Sequence, residues 1–288
     1  MPTINTDTRL CGVIGNPVAH SLSPLMHNSA FKAIGANYVY LAFRVEDVAG
    51  CLAGMRAIPS FRGLSVTIPH KLAVMAHLDV IEPMAQHIGS VNTVVHEENR
   101  LVGFSTDGPG ALQAMKETGV ETAGEHVALL GTGGAVRAVA FAMAEMGRAA
   151  SVTILGRTSA KVDALVQDIR AKTSADVRGG SLETDREAAL QQCAIIIQGT
   201  PVGMEPDVEA SIVPSDLLRP EHVVFDMVYR PHWTRLLRDA HAKGCRLVFG
   251  IDMLVYQAVL QFERWTGFEA PADVMRKNAY EALGCEAP

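Results

Sequence analysis

A lysine and an aspartate stand where each can exchange a proton with a small substrate. Lys71 follows a short apolar run and a proline turn in the segment GLSVTIPHK, residues 63–71. Asp107 lies in GFSTDG, residues 103–108, and precedes a glycine. An ammonium group beside a carboxylate can give a proton to a carbonyl oxygen or accept one from an alcohol. The two residues therefore predict one half of a reductase; the plainer alternatives are a solvated lysine and a turn aspartate.

A glycine-rich turn predicts the other half, a dinucleotide site. The turn follows the short apolar strand 127–130 and opens a long helix, which directs backbone N–H groups toward a pyrophosphate. It consists of Gly131, Thr132, Gly133, Gly134 and Ala135. Val136 stands where the common fingerprint has its third glycine, so a purely structural turn is the alternative.

The next strand ends in residues that favour NADP over NAD. A carboxylate at this position would hold the ribose hydroxyls of NAD, but the chain has Arg157, Thr158 and Lys161. Two cations and a hydroxyl suit a 2′-phosphate. A solvated basic helix start is the alternative, although cations are unfavourable near a helix N-terminus.

Two serines predict a carboxylate-binding segment. Ser21 and Ser23 alternate along HSLSP, residues 20–24, so their hydroxyls face the same side of an extended chain. Pro24 suits the first turn of a helix. The alternative is that Ser23 only caps that helix.

Composition excludes several classes of protein. The 288 residues are 48% hydrophobic with a formal net charge of -6 and no basic block, which favours a globular protein without a nucleic-acid partner. No apolar run reaches the ~20 residues of a membrane span, and residues 1–10 lack the pattern of a secretory signal. The five cysteines are scattered, as in reduced proteins. We expect a cytoplasmic protein acting on a small molecule, with no metal site.

The elements that must position these residues alternate between strands and helices, which predicts an α/β protein. In the first third we expect strands at 10–15, 38–45 and 63–68, helices at 24–34, 48–55 and 72–78, and a hairpin of 91–96 with 101–105 across a four-residue turn. A helix at 107–124 is suited to link two domains.

The second part predicts a Rossmann-type series of βαβ units. Strands are expected at 127–130, 151–155, 194–198, 223–227 and 246–249, and helices at 136–146, 160–172 and 234–242. Two further helices, 253–265 and 272–283, are expected to pack back on the first domain. The predicted domains are 1–107 with 251–288, and 108–250.

Ten segments in order resemble the shikimate dehydrogenase family over nearly the whole chain. They are VIGNP (13–17), HSLSP (20–24), VTIPHK (66–71), VNT (91–93), TDG (106–108), GTGGA (131–135), RT (157–158), TPVGM (200–204), DMVY (226–229) and MLVYQ (253–257). The resemblance implies an N-terminal substrate domain, a Rossmann NADP domain, and reversible NADP-dependent reduction of 3-dehydroshikimate to shikimate in aromatic amino-acid biosynthesis. A monomer or a homodimer would be compatible with it.

The resemblance also implies roles for individual residues. Lys71 and Asp107 would be the catalytic pair. The substrate carboxylate would be bound by Ser21 and Ser23 with Thr67 and Tyr229 nearby, and ring hydroxyls by Asn92 and Gln257. The cofactor would be held by Gly131, Thr132, Gly133, Gly134, Ala135, Arg157, Thr158 and Lys161, with Met227 and Gly250 lining the nicotinamide pocket.

The chain departs from the family at several positions. Ser65, Ser105 and Gly156 stand where the family usually has asparagine, and Gln198-Gly199 replaces asparagine and a small residue. Serine is shorter than asparagine and lacks its amide, so Ser65 and Ser105 can reshape a substrate pocket. A paralogue acting on quinate, an amino-shikimate or a related cyclic hydroxy acid is therefore the main alternative. A nucleotide-binding protein without turnover is a weaker one, because Lys71 and Asp107 are both present.

Overall fold

The computed structural model describes residues 4–286, and the chain divides into two compact units. The first unit is Met1–Thr106 with Val255–Pro288, and the second is Asp107–Leu254. Each unit is built on its own β-sheet. The expectation of an α/β protein is confirmed, because both sheets are rich in parallel strands and helices alternate with them.

The sheet of the first unit mixes parallel and antiparallel pairs. Its described strands are β1 (Arg9–Gly15), β2 (Tyr38–Arg44), β3 (Phe61–Val66), β4 (Val80–Ile81), β5 (Thr93–Glu97) and β6 (Arg100–Phe104), in the order β2-β1-β3-β5-β6-β4. Parallel neighbours need crossover connections. The helices α1 (Ser23–Ile34) and α2 (Val48–Arg56) supply them, and α3 (Pro83–Ile88) follows β4. Only β5 runs antiparallel to both of its neighbours among the described strands.

The second unit is a doubly wound parallel sheet. Its described strands are β7 (His126–Leu130), β8 (Ser151–Gly156), β9 (Val177–Ser181), β10 (Ile195–Gln198), β11 (Val223–Asp226) and β12 (Arg246–Phe249), in the order β12-β11-β10-β7-β8-β9. Its helices are α4 (Asp107–Glu117), α5 (Gly134–Glu145), α6 (Ser159–Lys172), α7 (Arg186–Gln192) and α8 (Arg235–Ala242). The order reverses between β7 and β10, and ligands of such sheets bind at this switch point.

Two helices complete the chain. α9 (Gly250–Thr266) contains the boundary between the units, and α10 (Ala272–Glu281) packs on α1 in the first unit. The packing of α9 on the first sheet is close: the indole N–H of Trp265 donates to the carbonyl of Val94 at 3.0 Å. A Cβ atom on Gly63 of β3 would overlap that indole nitrogen, so glycine is required for this approach.

Several element boundaries differ from those expected. Residues 72–78 were expected to be an α-helix, but only Ala73–His77 are helical, as a 3₁₀ turn. The helix expected at 107–124 ends at Glu117, because Gly119 takes a left-handed φ of 69°. Five of the described elements were not expected: β4, α3, β9, α7 and a 3₁₀ turn at Ser215–Leu217.

The hairpin turn is shorter than expected. Glu97 pairs with Arg100, so the strands extend to both residues and leave Glu98 and Asn99 as the turn. Both turn residues have positive φ, 48° and 63°, as a two-residue hairpin turn requires. The acidic and polar character of the segment concealed how far its strands continue.

Two findings concern the chain as a whole. No helix among residues 4–286 is both long enough and apolar enough to cross a membrane. All five cysteines are free thiols.

Candidate active site

Lys71 is carried by the turn that follows β3. The amide of His70 donates to the carbonyl of Thr67 at 2.9 Å, which closes the turn. The amide of Val91 then donates to the carbonyl of Lys71 at 2.9 Å. His70 itself is buried, with its ring Nε2 2.8 Å from the carbonyl of Val45, so its ring is used in packing this turn. The main chain of Lys71 is therefore fixed beside the residue that precedes Asn92.

Asn92 is buried with its amide orientation fixed by hydrogen bonds. Its Oδ1 accepts from the backbone N–H of Thr106 at 2.8 Å, and a backbone N–H can only donate. The hydroxyl of Thr93 donates to the same oxygen at 2.8 Å. Nδ2 therefore faces the other way, toward the Thr106 hydroxyl at 2.9 Å and Gln257 Oε1 at 3.4 Å. The two amides expected to bind ring hydroxyls thus lie together in the first unit.

The two serines of the HSLSP segment lie at the start of α1. The amide of Ser23 donates to the hydroxyl of Ser21 at 3.3 Å, so the two residues form one compact turn. The idea that Ser23 only caps the helix is wrong: the cap position is Leu22, without a side-chain capping bond, and Ser23 is the first helical residue. The Ser23 side chain is consequently not used as an N-cap.

A buried chain of polar groups, absent from the sequence-based predictions, runs beneath Asn92. The Tyr40 hydroxyl donates to Ser65 Oγ at 2.6 Å, and Ser65 donates to Gln261 Oε1 at 2.7 Å. Gln261 Nε2 donates to the Asn92 carbonyl at 3.1 Å and to Thr93 Oγ1 at 3.0 Å. Burial raises the pKa of Tyr40, so its hydroxyl remains a neutral donor. The only sequence signal was a second glutamine one helical turn after Gln257.

In the second unit, the glycine turn joins β7 to α5. Gly131 has φ 119°, and a Cβ there would lie 3.2 Å from Thr200 Cγ2 and 3.3 Å from Val136 Cγ2. Gly133 takes the N-cap position of α5 and, having no side chain, provides no capping bond. A positive φ, close packing and an N-terminus without a side-chain cap suit a pyrophosphate.

The basic segment lies where β8 leads into α6. Arg157, Thr158 and Lys161 are all exposed, and Thr158 occupies the N-cap position without a side-chain capping bond. A helix N-terminus flanked by two cations attracts an anion. These features are compatible with a phosphate group, and the assignment of the 2′-phosphate to this segment stays a prediction.

Met227 and Gly250 meet at the ends of β11 and β12. The amide of Met227 donates to the carbonyl of Gln198 at 2.8 Å. A Cβ on Gly250 would lie 2.6 Å from the carbonyl carbon of Met227, so only glycine allows this approach. Asp226 next to them is buried, accepts from Val228 N at 3.0 Å and Thr234 Oγ1 at 2.6 Å, and has its pKa raised by burial to about 7.

The predicted site residues fall into two groups. Ser21, Ser23, Thr67, Lys71, Asn92 and Gln257 belong to the first unit. Asp107, the glycine turn, Arg157, Thr158, Lys161, Met227, Tyr229 and Gly250 belong to the second. Asp107 is the first residue of α4 and is 5% exposed. The pairing of Lys71 with Asp107 joins the two groups and stays a prediction.

Two family models match segments of the chain. Residues 13–94 match the shikimate dehydrogenase substrate binding domain, and residues 250–279 match the shikimate 5'-dehydrogenase C-terminal domain. The first segment begins within β1, ends within β5 and contains Lys71, and the second contains α9 with Gln257.

Curated relatives match over essentially the full length. Shikimate dehydrogenase (NADP(+)) from Moorella thermoacetica is 42% identical over 290 residues, covering 100% of this chain and 98% of the relative. The protein of the same name from Symbiobacterium thermophilum is 45% identical over 281 residues, covering 96% and 95%.

Solved structures match in the same way. A shikimate dehydrogenase in complex with NADP+ has a TM-score of 0.92 and 38% identity, covering 98% of both chains. The Thermus thermophilus shikimate 5-dehydrogenase, in complex with NADP(H) and shikimate, has a TM-score of 0.85 and 41% identity, covering 96% of this chain and 100% of the other. Quinate dehydrogenase from Corynebacterium glutamicum in complex with NAD, at 28% identity and a TM-score of 0.88, covers 94% and 98%. Full-length identity above 40% to curated relatives, with both family models matched, establishes that the chain belongs to the shikimate dehydrogenase family.

Proposed function

We propose that the protein catalyses the reversible, NADP-dependent reduction of 3-dehydroshikimate to shikimate, in aromatic amino-acid biosynthesis. The observation that carries the proposal is the buried pair of amides, Asn92 and Gln257, in the same unit as Lys71. Neighbouring amides provide donors and acceptors for a ring with several hydroxyls. The full-length similarity to NADP-dependent shikimate dehydrogenases supports the same substrate.

The substrate is assigned to residues 1–107 with 251–288, and the cofactor to 108–250. Ser21 and Ser23 bind the substrate carboxylate through hydroxyl donors, with Thr67 and Tyr229 at the same end. Ser23 does not cap α1, so its hydroxyl is not committed to the helix N-terminus. Asn92 and Gln257 hold ring hydroxyls, with Asn92 acting as a donor since its Nδ2 faces Gln257.

The protein supplies the proton and the geometry of the reaction. NADPH, when bound, supplies the hydride. Lys71 gives a proton to the carbonyl oxygen of the substrate, and Asp107 holds the ammonium group and relays protons to it. In the oxidative direction Lys71 accepts the proton of the hydroxyl. The hydrogen bond from the Val91 amide fixes the main chain of Lys71. Less motion of the lysine then has to be restricted when it meets the substrate.

The second unit fits the dinucleotide by its own features. Gly131 and the N-terminus of α5 receive the pyrophosphate, and Arg157, Thr158 and Lys161 receive the 2′-phosphate. Met227 and Gly250 line the nicotinamide pocket, where their close backbone approach leaves no room for a larger residue at position 250.

Initial rates with purified protein test the function. Shikimate and quinate are each offered with NADP and with NAD, and reduced nicotinamide is followed by absorbance. Turnover of shikimate with NADP, well above the other three combinations, is expected. Preferential turnover of quinate would replace the substrate assignment, and no turnover of either would refute it.

Lys71→Ala tests the proton relay. Dehydrogenase activity should fall by at least about 10²-fold, the lower range for general acid catalysis, while NADPH binding measured by fluorescence stays unchanged. Lys116→Ala, near the end of α4, is the control. Full activity in Lys71→Ala would exclude this lysine as the acid.

One observation favours a second candidate substrate. The hydroxyl of Ser105 is buried and has no hydrogen-bond partner among the residues that the structure describes. A family member with asparagine there presents different donors, so this serine can admit quinate, an amino-shikimate or a related cyclic hydroxy acid. Ser105→Asn should then shift the ratio of quinate to shikimate kcat/KM, and an unchanged ratio would dismiss Ser105 as a specificity residue.

A further inference from the structure

Ser65 is the departure from the family pattern that the structure explains most fully. Its side chain is buried and makes two hydrogen bonds, accepting from Tyr40 at 2.6 Å and donating to Gln261 at 2.7 Å. A hydroxyl has one proton to donate. Since that proton goes to Gln261, Ser65 has none left for a substrate.

Gln261 supplies the amide that serine lacks. Its side-chain carbonyl accepts from Ser65, and its NH₂ group donates to the Asn92 carbonyl at 3.1 Å and to Thr93 Oγ1 at 3.0 Å. Gln261 is completely buried, so each of these bonds replaces a lost hydrogen bond to water. The long glutamine on α9 thus reaches the place where the family usually has an amide on β3.

Gln261 also orients the side chain of Asn92, through the hydroxyl of Thr93. Because Gln261 donates to Thr93 Oγ1, the hydroxyl proton of Thr93 is directed to Asn92 Oδ1 at 2.8 Å. Asn92 is consequently held at its backbone carbonyl and at its side-chain oxygen. Its Nδ2 therefore faces the Thr106 hydroxyl and Gln257, and Gln257 lies on the side where the proposed substrate hydroxyl binds.

We propose that Gln261 is a positioning residue for Asn92, and that Ser65 and Gln261 together replace the single asparagine usual in the family. The inference rests on the proposed function for the role of Asn92. It implies that Ser65 preserves a shikimate-type pocket and does not open it to a different substrate.

Kinetics of Gln261→Met test the positioning role, since methionine has a similar length and no hydrogen-bonding amide. The KM for shikimate should rise about tenfold, the effect of one lost hydrogen bond, with kcat and the KM for NADP nearly unchanged. Gln86→Met, at an exposed glutamine of the same unit, should leave all three constants unaltered. If Gln261→Met proves insoluble, Ser65→Ala, which removes one bond to the same amide, should raise the same KM by a smaller factor.

An exchange of residues tests the pairing without any substrate. Ser65→Asn should crowd Gln261, and Gln261→Ala should leave a cavity, so each should lower the midpoint of thermal unfolding by roughly 5 °C. The double variant Ser65→Asn/Gln261→Ala should have a higher midpoint of unfolding than the sum of the two losses predicts. Its KM for shikimate should be close to that of the wild type.

The outcomes separate the two proposals. A wild-type protein that turns over neither shikimate nor quinate would refute the proposed function, whereas strict additivity of the two midpoint losses would refute the pairing. Normal wild-type turnover with an unchanged KM in Gln261→Met, or in Ser65→Ala where the first variant is insoluble, would overturn the positioning role alone.

Discussion

We expect the choice between NADP and NAD to depend on individual side chains at the start of α6. Arg157 presents a planar group with several donors, and Lys161 adds a second cation in the first helical turn. Arg157, Thr158 and Lys161 are all exposed, so a phosphate group can reach them without movement of a helix.

Arg157→Ala should weaken NADP binding far more than NAD binding. The expected difference is about 1–3 kcal/mol, the usual value of a hydrogen bond to a charged group. Calorimetric titration of both cofactors measures it. Arg178→Ala, at an exposed arginine paired with Asp176 near the amino end of β9, is the control. Equal weakening of both cofactors would remove Arg157 from the 2′-phosphate site.

Ser21→Ala should raise the KM for shikimate, because a hydroxyl donor to the carboxylate is lost. The rise should be about tenfold, with a smaller effect on kcat. Ser29→Ala is a matched control on α1, since its hydroxyl bonds the carbonyl of Leu25 in its own helix. An unchanged KM in Ser21→Ala would place the carboxylate site elsewhere.

At the scale of elements, α9 brings two glutamines to the first sheet. Its contact with the sheet depends on the absence of a side chain at Gly63, where Trp265 and the carbonyl of Val94 meet. Gln257 and Gln261 lie on the same helix, so the depth at which α9 packs determines where both amides lie.

Gly63→Ala should lower the free energy of unfolding by about 1–3 kcal/mol, because the added methyl group displaces Trp265 from the sheet. Urea unfolding measures the loss. Gly54→Ala provides a control of opposite sign: Gly54 lies exposed within α2 with nothing near its Cβ position, and alanine there should stabilise by about 0.5–1 kcal/mol. No loss in Gly63→Ala would show that α9 can shift without cost.

Across the whole molecule, two buried groups give opposite dependences of stability on pH. His27, stacked 4.5 Å from the Tyr40 ring in the first unit, has its pKa lowered to about 3 by burial, with a smaller opposing effect of Gln261. Asp226 in the second unit has its pKa raised to about 7, again by burial. Neutral forms are therefore favoured in both units.

His27 should make the first unit less stable in acid. Between pH 6.5 and pH 3 the unfolded chain binds a proton that folded His27 does not, so stability falls as the pH decreases. The contribution of His27 to the free energy of unfolding should drop by about 2 kcal/mol from pH 7 to pH 5. Urea unfolding of His27→Leu should lack this drop, while the exposed His77→Leu should keep it. An identical pH profile for His27→Leu and wild type would contradict the prediction.

Asp226 should act in the opposite direction. Between pH 3.8 and pH 7 folded Asp226 binds a proton that the unfolded chain does not, so its contribution is present in acid and is lost as the pH rises. The loss from pH 5 to pH 7 should be about 2 kcal/mol. The free energy of unfolding of Asp226→Asn, relative to that of the wild type, should therefore increase as the pH rises. The exposed Asp216→Asn should show no such change. A constant difference between Asp226→Asn and wild type across this range would refute it.

Most of the architecture could be predicted from the amino-acid sequence alone. Apolar runs such as 194–198 and 127–130 predicted the parallel strands, and the glycine turn at 131–135 predicted the connection from β7 to α5. These features are readable because burial on both faces of a parallel sheet imposes continuous apolar segments. Short elements such as β9, which contains two glycines, lack a continuous apolar segment and were therefore missed.

The contacts between side chains distant in sequence could not be predicted, because they depend on tertiary packing. Tyr40, Ser65 and Gln261 lie on three elements, and nothing in local pattern shows that β2, β3 and α9 bring them to one hydrogen-bonded chain. Local periodicity specifies which face of an element is buried, but the partner of a buried polar group depends on strand register and on the depth of helix packing. For that reason Ser65 suggested an altered pocket in the sequence, and the structure shows its proton committed to Gln261.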